Sequence, residues 1–348
     1  MSLTHVYERA RSLAQFTTHH VLGTANHWVR LALAATVSLL GAAALAGPAL
    51  ATSPAASGPY TFAALNNQGD PTFNQLLGIN QSGTIAGYFG SGAAGHPNKG
   101  YLLTAPYGQA NYAAENFPGS TQTQVTGLND RGVTVGFWSP DNNANQVNAN
   151  LGFYSIDGHR PHTVMFPTDD NATPPVDQLL GVNDRDVAVG FYTDGEGNNH
   201  GFTYSIGRHR HRFQEVTVSG ATSVTAAGIN NRGDIAGFDT DAQGNVASFL
   251  LGRWGQETTL AFPGATSTQA LGVNDGDEVV GVYTNADMSM HGFTWTAEHG
   301  FMTVDDPNGV GTTTINGVND QGQLVGFYTD AAGNTDGLLA MPQSHHRH

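Results

Sequence analysis

Two short stretches of this 348-residue chain set oxygen-bearing side chains at alternating positions. One is Asp194-Gly195-Glu196-Gly197-Asn198. The other is Asp239-Thr240-Asp241-Ala242-Gln243-Gly244-Asn245, and Asp330-Ala331-Ala332-Gly333-Asn334 is a weaker copy. Calcium collects several oxygens from short glycine-containing loops, so Asp194, Asp239 and Asp241 are candidate calcium ligands. The full Asp-x-Asp-x-Asp-Gly spacing with a distal Glu is missing, and a polar hairpin turn explains the same residues. His200 and His291 each open a His-Gly-Phe segment beside such a loop. An imidazole there could be a general base or a metal ligand. Recurrence at one repeat position favours a structural role instead, with the ring bonded to a neighbouring repeat's backbone, because a catalytic group is needed only once.

Other chemistry is sparse. The chain has no cysteine, which excludes disulfides, thiolate metal sites and a thiol nucleophile. Gly-x-Ser-x-Gly, His-Glu-x-x-His and phosphate-loop patterns are missing. Gly207-Arg208-His209-Arg210-His211-Arg212 is a basic cluster in a turn, a docking patch or simply a solvated turn. His345-His346-Arg347-His348 is a terminal tail expected to be disordered.

The elements that must position these residues repeat six times. Gly78-Ile79-Asn80-Gln81-Ser82-Gly83 is followed by equivalents starting at Gly127, Gly181, Gly228, Gly272 and Gly317, spaced 44 to 54 residues apart. Each runs into an alternating apolar stretch such as Val133-Thr134-Val135-Gly136-Phe137. Alternation at period two marks strands with one buried face. Asn-Asp-x-Gly between two of them is a hairpin turn, with Gly at positive φ and Asn129, Asn183, Asn230, Asn274 and Asn319 serving the turn. The glycine before each Ile/Val-Asn pair lies inside a strand, which implies close approach of another backbone.

A third strand follows in most copies, as at His200-Gly201-Phe202, then a fourth leading to a Pro-Gly corner such as Phe262-Pro263-Gly264. Four strands per such period describe a propeller blade. The last copy supplies three strands, and Tyr60–Leu65 is a lone strand before the first copy. If it completes the last blade, the ring closes and no edge stays open. An open solenoid is the alternative. The expected fold is therefore an all-β, six-bladed propeller over residues 60–342.

Topology then separates two faces. Loops from second to third strands share a face with the blade-to-blade connections, and vary in length; Ser139 to Asn150 is long and Ala286 to Met290 short. The Asn-Asp-x-Gly turns keep one length and occupy the opposite face. Ligand binding is expected on the loop face, through Asp194, His200, Asp239, Asp241 and His291. Trp138, Tyr192, Tyr283 and Tyr328, at the ends of the inner hairpins, could stack on sugars or belong to the core between blades.

These segments resemble the HAF family of bacterial extracellular repeat proteins, with Gly-Ile-Asn-x-x-Gly-x-Ile-Val-Gly units followed by His-Ala-Phe or His-Gly-Phe. The resemblance spans about residues 60–341. The first half of the unit matches in all six copies; the second half is intact only at His200-Gly201-Phe202 and His291-Gly292-Phe293. Lys99, Leu151, Ala247 and Asp336 replace the histidine elsewhere, so a ring of histidines does not carry over. The resemblance implies repeat architecture and export, and no particular reaction.

The apolar run at residues 31–47, preceded by Arg9, Arg11 and Arg30 and followed by Ala49-Leu50-Ala51, reads as a signal peptide cleaved after Ala51. An uncleaved anchor is the alternative. Residues 52–59 would then be a linker and 343–348 a His-rich tail. The net charge of −15, with Lys99 the only lysine, argues against nucleic acid or an anionic membrane as partner. The expectation is a secreted, monomeric binding module for extracellular glycan or protein, with no cofactor beyond a candidate calcium. A secreted hydrolase or lyase using the loop face is the alternative, and a calcium-stabilised surface structural protein is a third reading.

Overall fold

The computed structural model describes residues 59–141, 148–207 and 212–343. The signal segment, Ala51, Arg208 to His211 and the His-rich tail lie outside the described residues.

Among the described residues, twenty-four strands form six blades. The first blade is β2 (Asn74–Ile79), β3 (Ile85–Phe89), β4 (Lys99–Leu103) and β5 (Tyr112–Ala114). The second is β6 (Gln122–Leu128), β7 (Val133–Ser139), β8 (Leu151–Ile156) and β9 (His159–Val164). The third is β10 (Asp177–Val182), β11 (Val187–Thr193), β12 (Asn199–Ser205) and β13 (Phe213–Val216). The fourth is β14 (Ala221–Ile229), β15 (Ile235–Asp241), β16 (Val246–Leu251) and β17 (Glu257–Leu260). The fifth is β18 (Ser267–Val273), β19 (Val279–Thr284), β20 (Met290–Thr296) and β21 (Gly300–Val304). The sixth joins β22 (Thr314–Val318), β23 (Leu324–Thr329) and β24 (Thr335–Pro342) to β1 (Tyr60–Ala64).

Closure follows the expected route. β1 runs antiparallel to β24, with Tyr60 opposite Pro342 and Ala64 opposite Leu338. The six first strands contact one another in sequence around the axis, and β22 returns to β2. A solenoid leaves its first and last repeats apart, so this contact excludes it. Phe73 also bridges to Thr335, tying the first blade to the sixth at the loop face.

Glycine sets the spacing at the axis. A Cβ built on Gly78 would lie 3.1 Å from the Gly127 Cα. The same holds from each first-strand glycine to the next, at 2.9 to 3.3 Å, and Gly317 meets Gly78. The second strand carries a matching requirement. Each first strand bulges just before its glycine, and a Cβ on Gly136, Gly190 or Gly281 would overlap the carbonyl of Gln124, Gln178 or Gln269. Between blades the apolar faces close on each other. Tyr101, Phe153, Phe202, Phe249, Phe293 and Leu338, at one repeat position, are all at most 1% exposed. Removing these large side chains from water is the main force holding blade to blade.

Candidate functional site

On the turn face, each Asn-Asp-x-Gly asparagine does two jobs. Asn183 Oδ1 accepts the amides of Arg185 and Val187, closing its own turn. Its Nδ2 donates to the Asn230 carbonyl in the next blade at 2.9 Å. The same donor reaches across every interface: Asn80 to Asn129, Asn129 to Asn183, Asn230 to Asn274, Asn274 to Asn319 and Asn319 back to Asn80, at 2.9 to 3.3 Å. Aspartate could close the turn but has no N–H for the neighbour, which is why the position is asparagine six times. The turn role matches the sequence reading; the link between blades needed the ring to be seen.

The next residue builds a second ring. Gln81 N donates to Asp130 Oδ1, Asp130 N to Asp184, Asp184 N to Asn231, Asn231 N to Asp275, Asp275 N to Asp320 and Asp320 N to Gln81, all at 2.7 to 3.0 Å. Five members of each ring, together with Ile79, Leu128, Val182, Ile229, Val273 and Val318, line an axial cavity of about 70 Å³ that opens on the turn face. Partial burial, followed by the charges of Asp184 and Asp320, raises the Asp130 pKa.

Gly83, Gly132, Gly233 and Gly322 take the positive φ expected of the turn, and Asp186 and Asp277 adopt it without being glycine, at 58° and 59°. Their carboxylates receive Asn129 and Asn230 Nδ2 and pair with Arg131 and Arg232 of the preceding blade. Those contacts offset the cost of the left-handed backbone.

On the loop face, Asp194, Asp241 and Asp330 share one arrangement. Oδ1 of each accepts the amides two and four residues on, and Oδ2 accepts the Nδ2 of Asn198, Asn245 or Asn334. These are Asx-type hairpin turns, with their oxygens directed at the loop's own donors. Burial alone would raise Asp194; the bonds from His200, Asn198 and Glu196 outweigh it and hold the carboxyl at about 2.

Both histidines are engaged by side chains, which corrects the expected backbone partners. His200 Nε2 meets Asp194 Oδ2 at 2.9 Å, and its ring stacks on Tyr192. His291 Nδ1 meets Asp305 Oδ2 at 2.7 Å, its Nε2 meets Ser289 Oγ at 3.0 Å, and it stacks on Tyr283. The register that puts Tyr192 opposite His200 and Tyr283 opposite His291 explains the pairing. A carboxylate offers the imidazole a stronger, charge-assisted acceptor than a carbonyl.

The aromatics at the hairpin ends are packed inside. Tyr192, Tyr283 and Tyr328 are buried. Phe166 stacks on Tyr192, and Phe262 on Tyr283 at 3.6 Å between centroids. Trp138 is half-buried and stacks on Phe117 at 4.2 Å. These rings therefore belong to the core reading.

One blade breaks the column. Phe89, Trp138, Tyr192, Tyr283 and Tyr328 hold the second-strand position in five blades, and Asp239 holds it in the fourth. Its cross-strand neighbour is Ala247 where blades three and five have histidine. Val218 takes the corner position of Phe117, Phe166 and Phe262. Asp239 is half-buried, and its carboxyl makes no hydrogen bond with the described residues. Burial, then the charges of Glu257 and Asp241, push it up to about 6. Of the five residues singled out by sequence, Asp239 alone presents an unengaged carboxyl. Asp241 lies two residues away and is committed to its turn; Asp194 with His200, and His291, stand in separate blades.

No family model matches the chain, and no curated protein matches it. Solved structures do. TolB from Acinetobacter baumannii is 10% identical, covering 80% of this chain and 66% of its own, with a TM-score of 0.48. The chain thus spans about two thirds of that structure's length. A mutant Aleuria aurantia lectin in complex with Fucalpha1-6GlcNAc is 11% identical over 78% of this chain and 96% of its own, with a TM-score of 0.47. A mutant of AofleA from Arthrobotrys oligospora is 10% identical over 79% and 84%, with a TM-score of 0.45. The likeness is one of fold. The strand order and ring closure define this chain as a six-bladed β-propeller.

Proposed function

We propose that the mature chain, residues 52–348, is an exported binding module that engages a hydroxyl-rich extracellular glycan on the loop face beside Asp239. The observation that carries this reading is the fourth-blade break, where Val218, Asp239 and Ala247 stand in place of a stacked aromatic column. A half-buried carboxylate with no partner accepts two sugar hydroxyls, and small neighbours admit a compact ligand. A protein partner on the same face is the wider form of the reading. Export is supported by the apolar run at 31–47, by Ala49-Leu50-Ala51 and by the resemblance to HAF repeats.

A secreted hydrolase or lyase is favoured by one observation. Asp239, pushed up to about 6 with Glu257 as the first charge acting on it, has the properties of a general acid near neutral pH. A glycan array with and without calcium, followed by turnover assays on each hit, separates these readings. Binding without turnover, lost in Asp239→Asn, supports the module. Turnover lost in Asp239→Asn makes it an enzyme, and hits that survive the substitution refute the site. Mass spectrometry of the secreted protein should show Thr52 at its N-terminus; an intact N-terminus in the membrane fraction would refute cleavage.

A further inference from the structure

The arginines of the propeller are segregated. Arg131, Arg185 and Arg232 sit in the Asn-x-x turns of blades two, three and four. Arg160, at the start of the fourth strand β9, and Arg212 and Arg253, between third and fourth strands, sit at the outer ends of the same three blades. Both sets lie on the turn face. Arg208 and Arg210 fall in the same connection as Arg212, outside the described residues. Between residues 52 and 346 the chain has no other arginine.

The repeat supplies its own control. Ser82, Gly276 and Gln321 take the Arg131 position in blades one, five and six, and in each the Asn Oδ1 still accepts the amide four residues on. The turn therefore does not require arginine. Arg131 pairs with Asp186, and Arg232 with Asp234 and Asp277. Arg185 is exposed and has no ion pair among the described residues. Asp130, Asp184, Asp275 and Asp320 on this side are held in the axial ring, and the Asp157 carboxylate sits against Gly132.

The same arc carries an exposed indole. Trp254 is 75% exposed, and the Arg253 guanidinium lies 4.2 Å over its ring. An exposed tryptophan beside arginines is costly to keep in water and is typical of a recognition surface.

We propose that this arc is a second binding surface, for an acidic polysaccharide bearing carboxylates, distinct from the Asp239 region on the opposite face. Trp254 stacks on a sugar ring, while Arg185, Arg253 and Arg160 meet carboxylates along the polymer. The Asn-x-x turns keep one length, so Arg131, Arg185 and Arg232 stand at equivalent positions on three neighbouring blades, a spacing that suits an extended chain. The overall charge of −15 works against a polyanion at long range, so the attraction must come from the arginines within roughly 10 Å of the polymer, the range that screening leaves in physiological salt.

The test uses the mature chain, polygalacturonate as probe and dextran as neutral control, in affinity electrophoresis. Retention by polygalacturonate alone is expected, weakening as salt rises from about 0.05 M to about 0.5 M. Trp254→Ala and the pair Arg185→Gln with Arg253→Gln should each lower affinity by about tenfold or more. Their melting temperatures should stay unchanged, because all three side chains are exposed. Asp239→Asn should leave polygalacturonate binding intact, which separates this surface from the loop-face site. Absence of retention, retention only on anionic lipid vesicles, or retention that ignores these substitutions would each overturn the proposal.

Discussion

Asp177 gives the sharpest quantitative test of how the ring is held together. It lies on β10 with no exposed surface. In five blades a polar side chain at this position accepts the amide of the preceding corner. Thr123 caps Phe117, Thr268 caps Phe262, Thr313 caps Asp306, Asn74 caps Asn67, and Asp177 Oδ1 caps Phe166 at 2.7 Å. Asp177 alone brings a second carboxylate oxygen, and that Oδ2 is buried without a partner. Burial pushes the carboxyl from 3.8 up to about 6, outweighing the lowering effect of the Phe166 amide and the nearby Asn171 side chain.

The sign follows from linkage. The folded chain holds the Asp177 proton more tightly than the unfolded chain. Its contribution is therefore fully favourable below about pH 4 and is lost as pH rises through about 6. A shift of about two units at about 1.4 kcal/mol each makes the charged form cost up to about 3 kcal/mol at pH 8. Asp177→Asn keeps the acceptor for Phe166 and removes the charge. Urea unfolding followed by intrinsic fluorescence should show the variant about 1–3 kcal/mol more stable at pH 8, with the gap nearly closed at pH 4. A gap equal at both pH values, or a variant weaker at pH 8, would refute the reasoning.

Asn230→Asp keeps the turn acceptor but deletes the donor to Asn274 and adds charge beside Asp234 and Asp277; a loss of about 1–3 kcal/mol in urea unfolding is expected, and an unchanged midpoint would count against the asparagine ring. Gly136→Ala drives a methyl into the Gln124 carbonyl, whereas Gly119→Ala meets open space and bears only backbone strain. The first should cost about 1–3 kcal/mol more than the second, and equal melting temperatures would refute the bulge argument. Deleting residues 52–66 removes β1 and bares the edge of β24. Light scattering should report aggregation; a monomer with an unchanged melting temperature would mean that β1 does not secure closure.

Much of this fold is written locally. Alternation, the Asn-Asp-x-Gly turns and the glycine inside each first strand depend on neighbours within a few residues, so six blades and the closing role of Tyr60–Leu65 were legible from spacing alone. Two faces followed from counting strands. The aromatics and histidines were not so decided. Tyr192 could face a ligand or a neighbouring ring with identical local sequence, and only the position of Phe166, from a corner more than twenty residues earlier, buried it. Asp239 and Asp241 look alike in sequence; burial leaves one unengaged while turn amides occupy the other. The double duty of each asparagine, and the gathering of arginines onto three blades, exist only once the chain has closed. Those properties are sums over residues distant in sequence, and it is the rotation from blade to blade that brings them together.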